Sequence, residues 1–271
     1  MILRAVLVTL VLALAPAAAG AVELSGAITQ GGLVVGHTQP GSRVSLDGKA
    51  LGVDAATGAF VFGLGRDAAA SAVLAVERPD GTRETRILAV TRRDWRIERV
   101  DGLPPATVTP PPEVLTRIAS EGAAIRAARA NDRAAPDFLG GFAWPAKGRI
   151  SGVFGSPRIL NGEPRAPHLG TDIAAPAGTP VAAPAPGVVT LAEADLYYTG
   201  GTIIIDHGHG VTSVYAHLSA VAVRAGEAVA RGGVIGAIGA TGRASGPHLH
   251  WGLNWFGTPL DPQLVAATMH E

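Results

Sequence analysis

The chain of 271 residues contains no cysteine. Without a thiol, cysteine-dependent catalysis, disulfide bonds, lipoprotein acylation and cysteine-based zinc sites are all excluded. The nucleophile-elbow pattern G-x-S-x-G is also missing, which argues against serine hydrolases of that type. The only His-Glu pair is His270-Glu271, so the H-E-x-x-H motif with its glutamate base is absent as well. Any hydrolytic chemistry must therefore rest on other residues.

Neither positive nor negative charge is in excess, and the chain has only two lysines. The 22 basic and 22 acidic residues give a formal net charge of zero, which offers no electrostatic case for nucleic-acid binding. Residues 221–242 have the short strands and glycine turns of a biotinyl or lipoyl carrier domain, but a carrier needs a lysine at a hairpin tip. The only lysines, Lys49 and Lys147, lie elsewhere, so that likeness is architectural.

Only the N-terminal segment contains a long apolar run. Met1–Arg4 supplies a short positive start, Ala5–Ala15 an apolar core, and Ala17–Ala21 a group of small residues suited to cleavage. This order is typical of a secretory signal peptide, so we assign residues 1–21 to one and expect an exported protein. The run also reaches the minimum of about 18 residues for an uncleaved membrane anchor. After cleavage we expect no stable membrane span.

The remaining length exceeds one typical domain, so two hydrophobic cores are expected. Residues 22–100 alternate short apolar stretches with turn signals such as Asp47-Gly48 and Pro79-Asp80-Gly81. This alternation predicts a small immunoglobulin-like β-sandwich. The sandwich could position a substrate or a cell-wall protein partner, or it could act only as a spacer.

Two proline runs, Leu103-Pro104-Pro105 and Pro110-Pro111-Pro112, predict a stiff extended linker. A helix is predicted over Glu113–Arg133, so linker and helix fill residues 101–139. We expect few contacts across this boundary and an independent fold for residues 140–271. The helix has one apolar stripe, expected to pack on one of the domains. The stripe comprises Leu115, Ile118, Gly122 and Ile125.

Four of the eight histidines lie in three short motifs. These motifs are His168-Leu169-Gly170-Thr171-Asp172, Tyr215-Ala216-His217-Leu218 and Gly246-Pro247-His248-Leu249-His250. Catalytic zinc uses three nitrogen or oxygen ligands and keeps an open position for water. In a strand, His248 and His250 would point to one face with Cα atoms roughly 6.6 Å apart. His168 and Asp172 would lie roughly 13 Å apart in a straight strand, so we expect a bend near Gly170. Spacing alone does not tell which of His248 and His250 is a ligand.

Together these motifs resemble the lysostaphin/LytM-type zinc metalloendopeptidases, which cut peptidoglycan cross-bridges. The resemblance extends from about Trp144 to Pro262 and includes the run Gly236–Gly242 that leads into G-P-H-L-H. It implies that residues 140–271 form an antiparallel β catalytic domain of LytM/lysostaphin type. It also implies one zinc ion per chain.

The family pattern assigns roles to individual residues. It implies that His168, Asp172 and His250 are the zinc ligands, and that His217 and His248 are catalytic residues beside the water that zinc activates. Zinc lowers the pKa of such a water to about 7 and polarises the scissile carbonyl, but a base must still accept a proton. Either catalytic histidine could be that base, while the other could stabilise the developing oxyanion.

Two loops are candidates for substrate binding, Phe154–Pro167 and Asp195–Gly201, because loops on a rigid sheet commonly determine specificity. Arg158 and Arg165 could bind the free carboxylates of peptidoglycan stem peptides, since arginine offers a forked donor pair. Alternatively, both arginines are solvated or pair with Glu163. The candidate substrate residues are Arg158, Arg165, Tyr197 and Tyr198.

We therefore expect a periplasmic zinc endopeptidase of a Gram-negative bacterium that hydrolyses peptide cross-links of peptidoglycan. The expected target is the bond from D-alanine to diaminopimelate, with glycine bridges and other extracellular peptides left open. One rival is a non-enzymatic role, because some members of the family have lost zinc ligands and activate separate cell-wall amidases. Every ligand position is filled in this chain, which favours an enzyme.

Overall fold

A computed structural model describes residues 22–266, so the predicted signal peptide lies outside the described residues. Strands dominate the structure and pair almost entirely antiparallel, so the mostly β fold class is confirmed. No helix within residues 22–266 is long and apolar enough to cross a membrane.

The first part of the chain forms two antiparallel sheets, ordered β1-β2-β5 and β4-β3-β6-β7. The strands are β1 (Glu23–Gly26), β2 (Leu33–His37), β3 (Arg43–Leu46), β4 (Lys49–Leu51), β5 (Ala59–Gly63), β6 (Ser71–Glu77) and β7 (Arg83–Ala89). In β6, the buried residues Ala72, Leu74 and Val76 alternate with more exposed ones, as expected for a strand with one face on a core. The β3–β4 hairpin turns at Asp47-Gly48, where both residues have positive φ (48° and 80°), as a two-residue type I′ turn requires.

The segment after the sandwich contains one short strand and two helices. They are β8 (Glu98–Val100), α1 (Pro105–Val108) and α2 (Leu115–Ala128), with 3₁₀ turns at Pro112–Val114 and Asp137–Gly140. The helix predicted over Glu113–Arg133 is therefore shorter at both ends. At its C-terminus, the Asn131 side chain donates to the carbonyl of Ala128 (3.3 Å), and Arg133 is held by Asp137 and the carbonyl of Asp206. These contacts turn the chain out of the helix.

The second domain is built on a ten-stranded sheet, ordered β17-β14-β15-β16-β19-β12-β9, with β13, β18 and β20 paired beside this path. Two further strands of the domain, β10 and β11, lie outside this sheet. The strands of the domain are β9 (Arg149–Gly152), β10 (Arg158–Leu160), β11 (Glu163–Arg165), β12 (Thr171–Ala174), β13 (Pro180–Ala182), β14 (Gly187–Leu196), β15 (Gly200–Asp206), β16 (Val211–Val221), β17 (Ala228–Val229), β18 (Val234–Ile238), β19 (His248–Trp255) and β20 (Thr258–Leu260). A 3₁₀ turn at Pro262–Leu264 follows. Every residue of β15 is buried, so this strand lies at the centre of the domain.

The linker is docked on the second domain and is not a free spacer. β8 pairs in parallel with β10, which forms a hairpin with β11. The Asn161 side chain accepts from the backbone N–H of Leu103 (3.1 Å) and donates to its carbonyl (2.7 Å). In α2, Ile125 and Ala128 pack on the second domain, whereas Leu115 of the predicted stripe is 51% exposed. Proline content alone could not reveal these long-range contacts.

One hydrophobic core crosses the expected domain boundary. The side chains of Phe60, Phe62 and Leu74 from the sandwich belong to the same buried cluster as Trp255 and Leu260 from the second domain. The two surfaces approach so closely that a Cβ atom at Gly63 would lie 2.9 Å from Trp255 and from Leu260. The sequence predicts few contacts across this boundary, and the structure instead joins the two halves through a continuous apolar interface.

Candidate active site

Three strands and one bend bring the histidine motifs together. In the β12–β19 pair Asp172 lies opposite His250, and in the β16–β19 pair Ala216 lies opposite His250. This places the Y-x-H-L motif of β16 next to the H-L-H motif of β19. The chain bends at Gly170 immediately before β12, as the spacing predicts, and this bend returns His168 to Asp172.

Three polar atoms converge at this point. His168 Nε2 lies 3.0 Å from Asp172 Oδ1, His250 Nδ1 lies 2.9 Å from the same oxygen, and the two ring nitrogens are 2.9 Å apart. His168 and Asp172 are buried, with 2% and 7% of their surface exposed. The resulting cluster offers two imidazole nitrogens and one carboxylate oxygen to a common point.

This cluster fits a zinc ion. Ligand atoms around tetrahedral zinc, with bonds of about 2.0–2.2 Å, lie about 3.3 Å apart, close to the separations observed here. His168 Nδ1 lies 3.2 Å from the carbonyl of Val153. Because a carbonyl only accepts, Nδ1 carries a proton, and in the neutral ring Nε2 has a lone pair that faces the cluster. Two glycines leave room for the side chains, since a Cβ at Gly152 would lie 2.5 Å from Asp172 Oδ2 and one at Gly170 2.6 Å from His250 Cε1.

The electrostatics give the cluster the protonation states that metal ligands need. Burial by itself would raise the pKa of Asp172, but its hydrogen bonds with His168 and His250 outweigh that effect and hold the pKa well below its usual range. Burial lowers the pKa of His250 to about 4. The carboxylate is therefore charged and the imidazole neutral near pH 7, as required of ligands to a divalent cation.

His217 and His248 lie beside this cluster, with ring centroids 4.7 Å apart. Each presents the same tautomer, because His217 Nδ1–H donates to the carbonyl of Thr241 (2.8 Å) and His248 Nδ1–H donates to the carbonyl of Gly246 (2.8 Å). In the neutral form of each ring, the lone pair is therefore on Nε2. Both rings line a cleft of about 440 Å³ that also reaches Asp172.

His217 is held in an unusual conformation. Its φ is 64°, in the left-handed region, which costs a residue other than glycine about 1–3 kcal/mol unless its surroundings enforce it. The backbone N–H of His217 donates to the carbonyl of Thr199 (2.7 Å), and its ring is fixed by Thr241. Burial, followed by the nearby rings of His248 and His250, lowers the pKa of His217 to about 3. The ring is therefore neutral at any pH near 7.

The four candidate substrate residues have partners within the protein. Arg158 donates from Nη2 to Asp172 Oδ2 (3.0 Å) and from Nε to Glu98 Oε2 (2.8 Å), a pairing that the β8–β10 register aligns. Arg165 donates to the carbonyl of Val108 (3.1 Å) and lies 3.7 Å from Glu163. Arg158 thus lines the cleft and binds Asp172, a candidate metal ligand, whereas Arg165 binds the linker at Val108.

The two tyrosines also contact the linker or its neighbours. Tyr197 donates its hydroxyl to the carbonyl of Ala106 (2.7 Å), and the Tyr198 ring lies 4.6 Å from the guanidinium of Arg243. Arg243 itself lines the cleft with His217 and His248. Arg243 does not belong to a recognisable motif. Its position in the loop that leads into G-P-H-L-H is the only sequence signal that could have placed it near the histidines.

Comparison with known proteins agrees with this geometry. The profile of Peptidase family M23 matches residues 166–262. A solved structure from Pseudomonas aeruginosa, assigned to peptidase M23, is 31% identical, with a TM-score of 0.66 over 87% of this chain and 93% of that one. DD-carboxypeptidase/endopeptidase Mpg of Neisseria meningitidis serogroup B is 48% identical over 104 residues, which is 38% of this chain and 24% of Mpg. Peptidoglycan DD-endopeptidase ShyA of Vibrio cholerae is 43% identical over 118 residues, which is 43% of this chain and 27% of ShyA.

The match with these curated relatives spans only about a quarter of their length. The Pseudomonas structure, in contrast, is covered almost completely at an identity that exceeds 30%. The resemblance seen in the histidine motifs is therefore confirmed, and the chain belongs to peptidase family M23.

Proposed function

We propose that this protein is a zinc endopeptidase that hydrolyses peptide cross-links of peptidoglycan. The main support for this proposal is the convergence of His168, Asp172 and His250, whose potential ligand atoms all lie within 4.8 Å of one another. Two further histidines with free lone pairs line the cleft beside them. The names of Mpg and ShyA support peptidoglycan peptides as the substrate class.

In this proposal, His168, Asp172 and His250 hold the metal. Zinc bound there would polarise the scissile carbonyl and lower the pKa of the attacking water to about 7. Arg158 holds the second oxygen of Asp172, which leaves Oδ1 directed at the two ligand histidines. This orientation is the usual contribution of a residue that supports a metal ligand.

The two remaining histidines, His217 and His248, have different roles in proton transfer. Amide hydrolysis requires a group that removes a proton from water and returns one to the leaving nitrogen. We assign this transfer to Nε2 of His248, because its side chain is the more accessible of the two from the cleft. His217, which burial keeps neutral, accepts a hydrogen bond through Nε2 and orients the attacking water.

The proposed function also implies a cellular compartment, a target bond and a role for the first domain. A peptidoglycan substrate requires export, consistent with a signal peptide at residues 1–21, and we propose the periplasm as the compartment. The bond from D-alanine to diaminopimelate is the proposed target. The first domain would position the enzyme on the wall or on a cell-wall protein partner.

Digestion of purified sacculi tests the proposal. The zinc-loaded mature protein should release fragments whose masses identify a cut peptide cross-link, and a chelator should stop the release. An amidase activator, in contrast, would release no fragments alone but would stimulate a separate amidase with or without zinc. Amidase stimulation without intrinsic cleavage would overturn the proposed function.

A further inference from the structure

Arg243 is a cationic side chain that the proposed chemistry does not use. It lies in the loop between Thr241 and His248 and lines the cleft together with His217 and His248. It is half-buried, and the Tyr198 ring covers its guanidinium at 4.6 Å. A substrate bound beside the two histidines would therefore lie in the same cleft as this positive charge.

The charge of Arg243 is not balanced within the protein. Across residues 22–266 its side chain forms no ion pair and donates one hydrogen bond, from Nη1 to the carbonyl of Thr107 (3.2 Å), while its backbone N–H donates to the carbonyl of Tyr198 (2.8 Å). The neighbouring Arg158 provides the contrast, because it pairs with both Glu98 and Asp172. Burial, together with the charges of Arg158 and Arg165, lowers the pKa of Arg243.

Partial burial of an unpaired guanidinium costs free energy that a bound anion would offset. The free donors of Arg243 suit a planar carboxylate, which accepts hydrogen bonds from an arginine fork. The hydroxyl of Ser245 lines the same cleft and can donate a further hydrogen bond to such a carboxylate. The cleft volume of about 440 Å³ accommodates a short peptide segment.

We propose that Arg243 forms a carboxylate-binding subsite that selects peptides with a free carboxylate near the scissile bond. This inference rests on the proposed function, since it deepens the description of the peptidase cleft. It also replaces Arg158 and Arg165 as the expected carboxylate ligands, because both are engaged within the protein. Arg243 acts on substrate recognition and leaves the metal ligands unchanged.

The test compares two soluble cross-linked muropeptides that differ only in whether the free carboxylates are retained or converted to carboxamides. Full-length mature protein, loaded with zinc, is assayed as wild type, Arg243→Gln and Arg243→Lys. Arg224→Gln is the matched control, because Arg224 is exposed and does not line the cleft. Circular dichroism and zinc content verify that each variant is folded and loaded.

Wild type should prefer the free acid. Arg243→Gln should lower kcat/KM for the free acid by about tenfold to a hundredfold, the value of a charge-assisted hydrogen bond, chiefly through KM. Activity on the carboxamide should fall much less, because its neutral oxygen accepts only a weaker hydrogen bond, and Arg243→Lys should recover part of the preference. An equal loss on both peptides would mean that Arg243 only holds the loop against Thr107, and this result or no loss at all would overturn the inference.

If the proposed endopeptidase function is wrong, wild type should cleave neither peptide, a result that differs from every outcome above. If wild type cleaves neither peptide, calorimetric titration of the same peptides into the same proteins decides the inference alone. Tighter binding of the free acid that depends on Arg243 would support the subsite although the endopeptidase assignment had failed. Equal or absent binding of the two peptides would overturn it.

Discussion

Gly170 should be indispensable for the position of His250. In Gly170→Ala, the new Cβ would lie 2.6 Å from His250 Cε1, 2.7 Å from His250 Nε2 and 2.6 Å from the carbonyl oxygen of Trp251. Carbon atoms in contact normally lie about 3.5–4.0 Å apart, so the ring must move by about 1 Å. The ring cannot move alone, because its Nδ1 is 2.9 Å from Asp172 Oδ1 and the Trp251 oxygen belongs to the rigid backbone of β19.

Two consequences follow for Gly170→Ala. Zinc affinity should fall by about tenfold to a hundredfold, the usual effect of disturbing the support of a metal ligand. Turnover should fall by about a hundredfold, as expected for misplacement of a catalytic group by about 1 Å. The overpacking should cost only about 1–3 kcal/mol of stability, so the protein should remain folded.

Zinc affinity is measured by competition with a chromophoric chelator, turnover on a soluble cross-linked muropeptide, and folding by circular dichroism. Gly122→Ala is the control, because Gly122 lies in α2 and its added Cβ would meet only the flexible end of Arg126, at 3.3 Å. Alanine favours a helix by about 1 kcal/mol over glycine, so this variant should be slightly stabilised with unchanged zinc binding. A Gly170→Ala protein with wild-type zinc affinity and turnover would show that Gly170 does not determine the position of His250.

Three further predictions concern stability. Burial lowers the pKa of His207 to about 4, against 6.5 for a free histidine. The unfolded chain therefore binds more protons at this site between pH 6.5 and 4, and the contribution of His207 to stability falls by about 3 kcal/mol as the pH drops through this range. Thermal unfolding should lose stability over this range, and His207→Gln should reduce the loss; identical slopes for the two proteins would contradict the prediction. Leu260→Ala should lower the free energy of unfolding by about 2–5 kcal/mol in a denaturant titration, because Leu260 is fully buried in the shared core; a smaller loss would argue against that core. A fragment of residues 140–271, which the sequence predicts to fold alone, should instead aggregate because it exposes the apolar surface around Trp255; a monomeric fragment with cooperative unfolding would show that the interface is dispensable.

Local sequence signals predicted the features that depend on neighbouring residues. The short strands of residues 22–100, the turn at Asp47-Gly48 and the bend at Gly170 all follow from backbone geometry that a few residues determine. The resemblance in the histidine motifs was likewise confirmed at the level of the family. The individual roles of these histidines stay predictions.

Features set by contacts between distant residues were missed. The shared core joins Phe60 to Trp255, and both look like ordinary strand residues in the sequence. The pairing of Arg158 with Glu98 depends on a parallel β8–β10 contact across 60 residues. Arg243 is notable only because no carboxylate within residues 22–266 pairs with its side chain. Periodicity and spacing carry no information about such pairings.

The most direct test of the metal centre is the zinc content of five alanine variants, measured beside their turnover. Replacement of His168, Asp172 or His250 removes one of three ligands, so both zinc content and turnover should collapse. Replacement of His217 or His248 should leave stoichiometric zinc but lower turnover by about 10²–10⁴-fold, the usual contribution of acid–base catalysis. Stoichiometric zinc with normal turnover in any of the first three variants, or loss of zinc from His248→Ala, would show that the zinc ligands are not His168, Asp172 and His250.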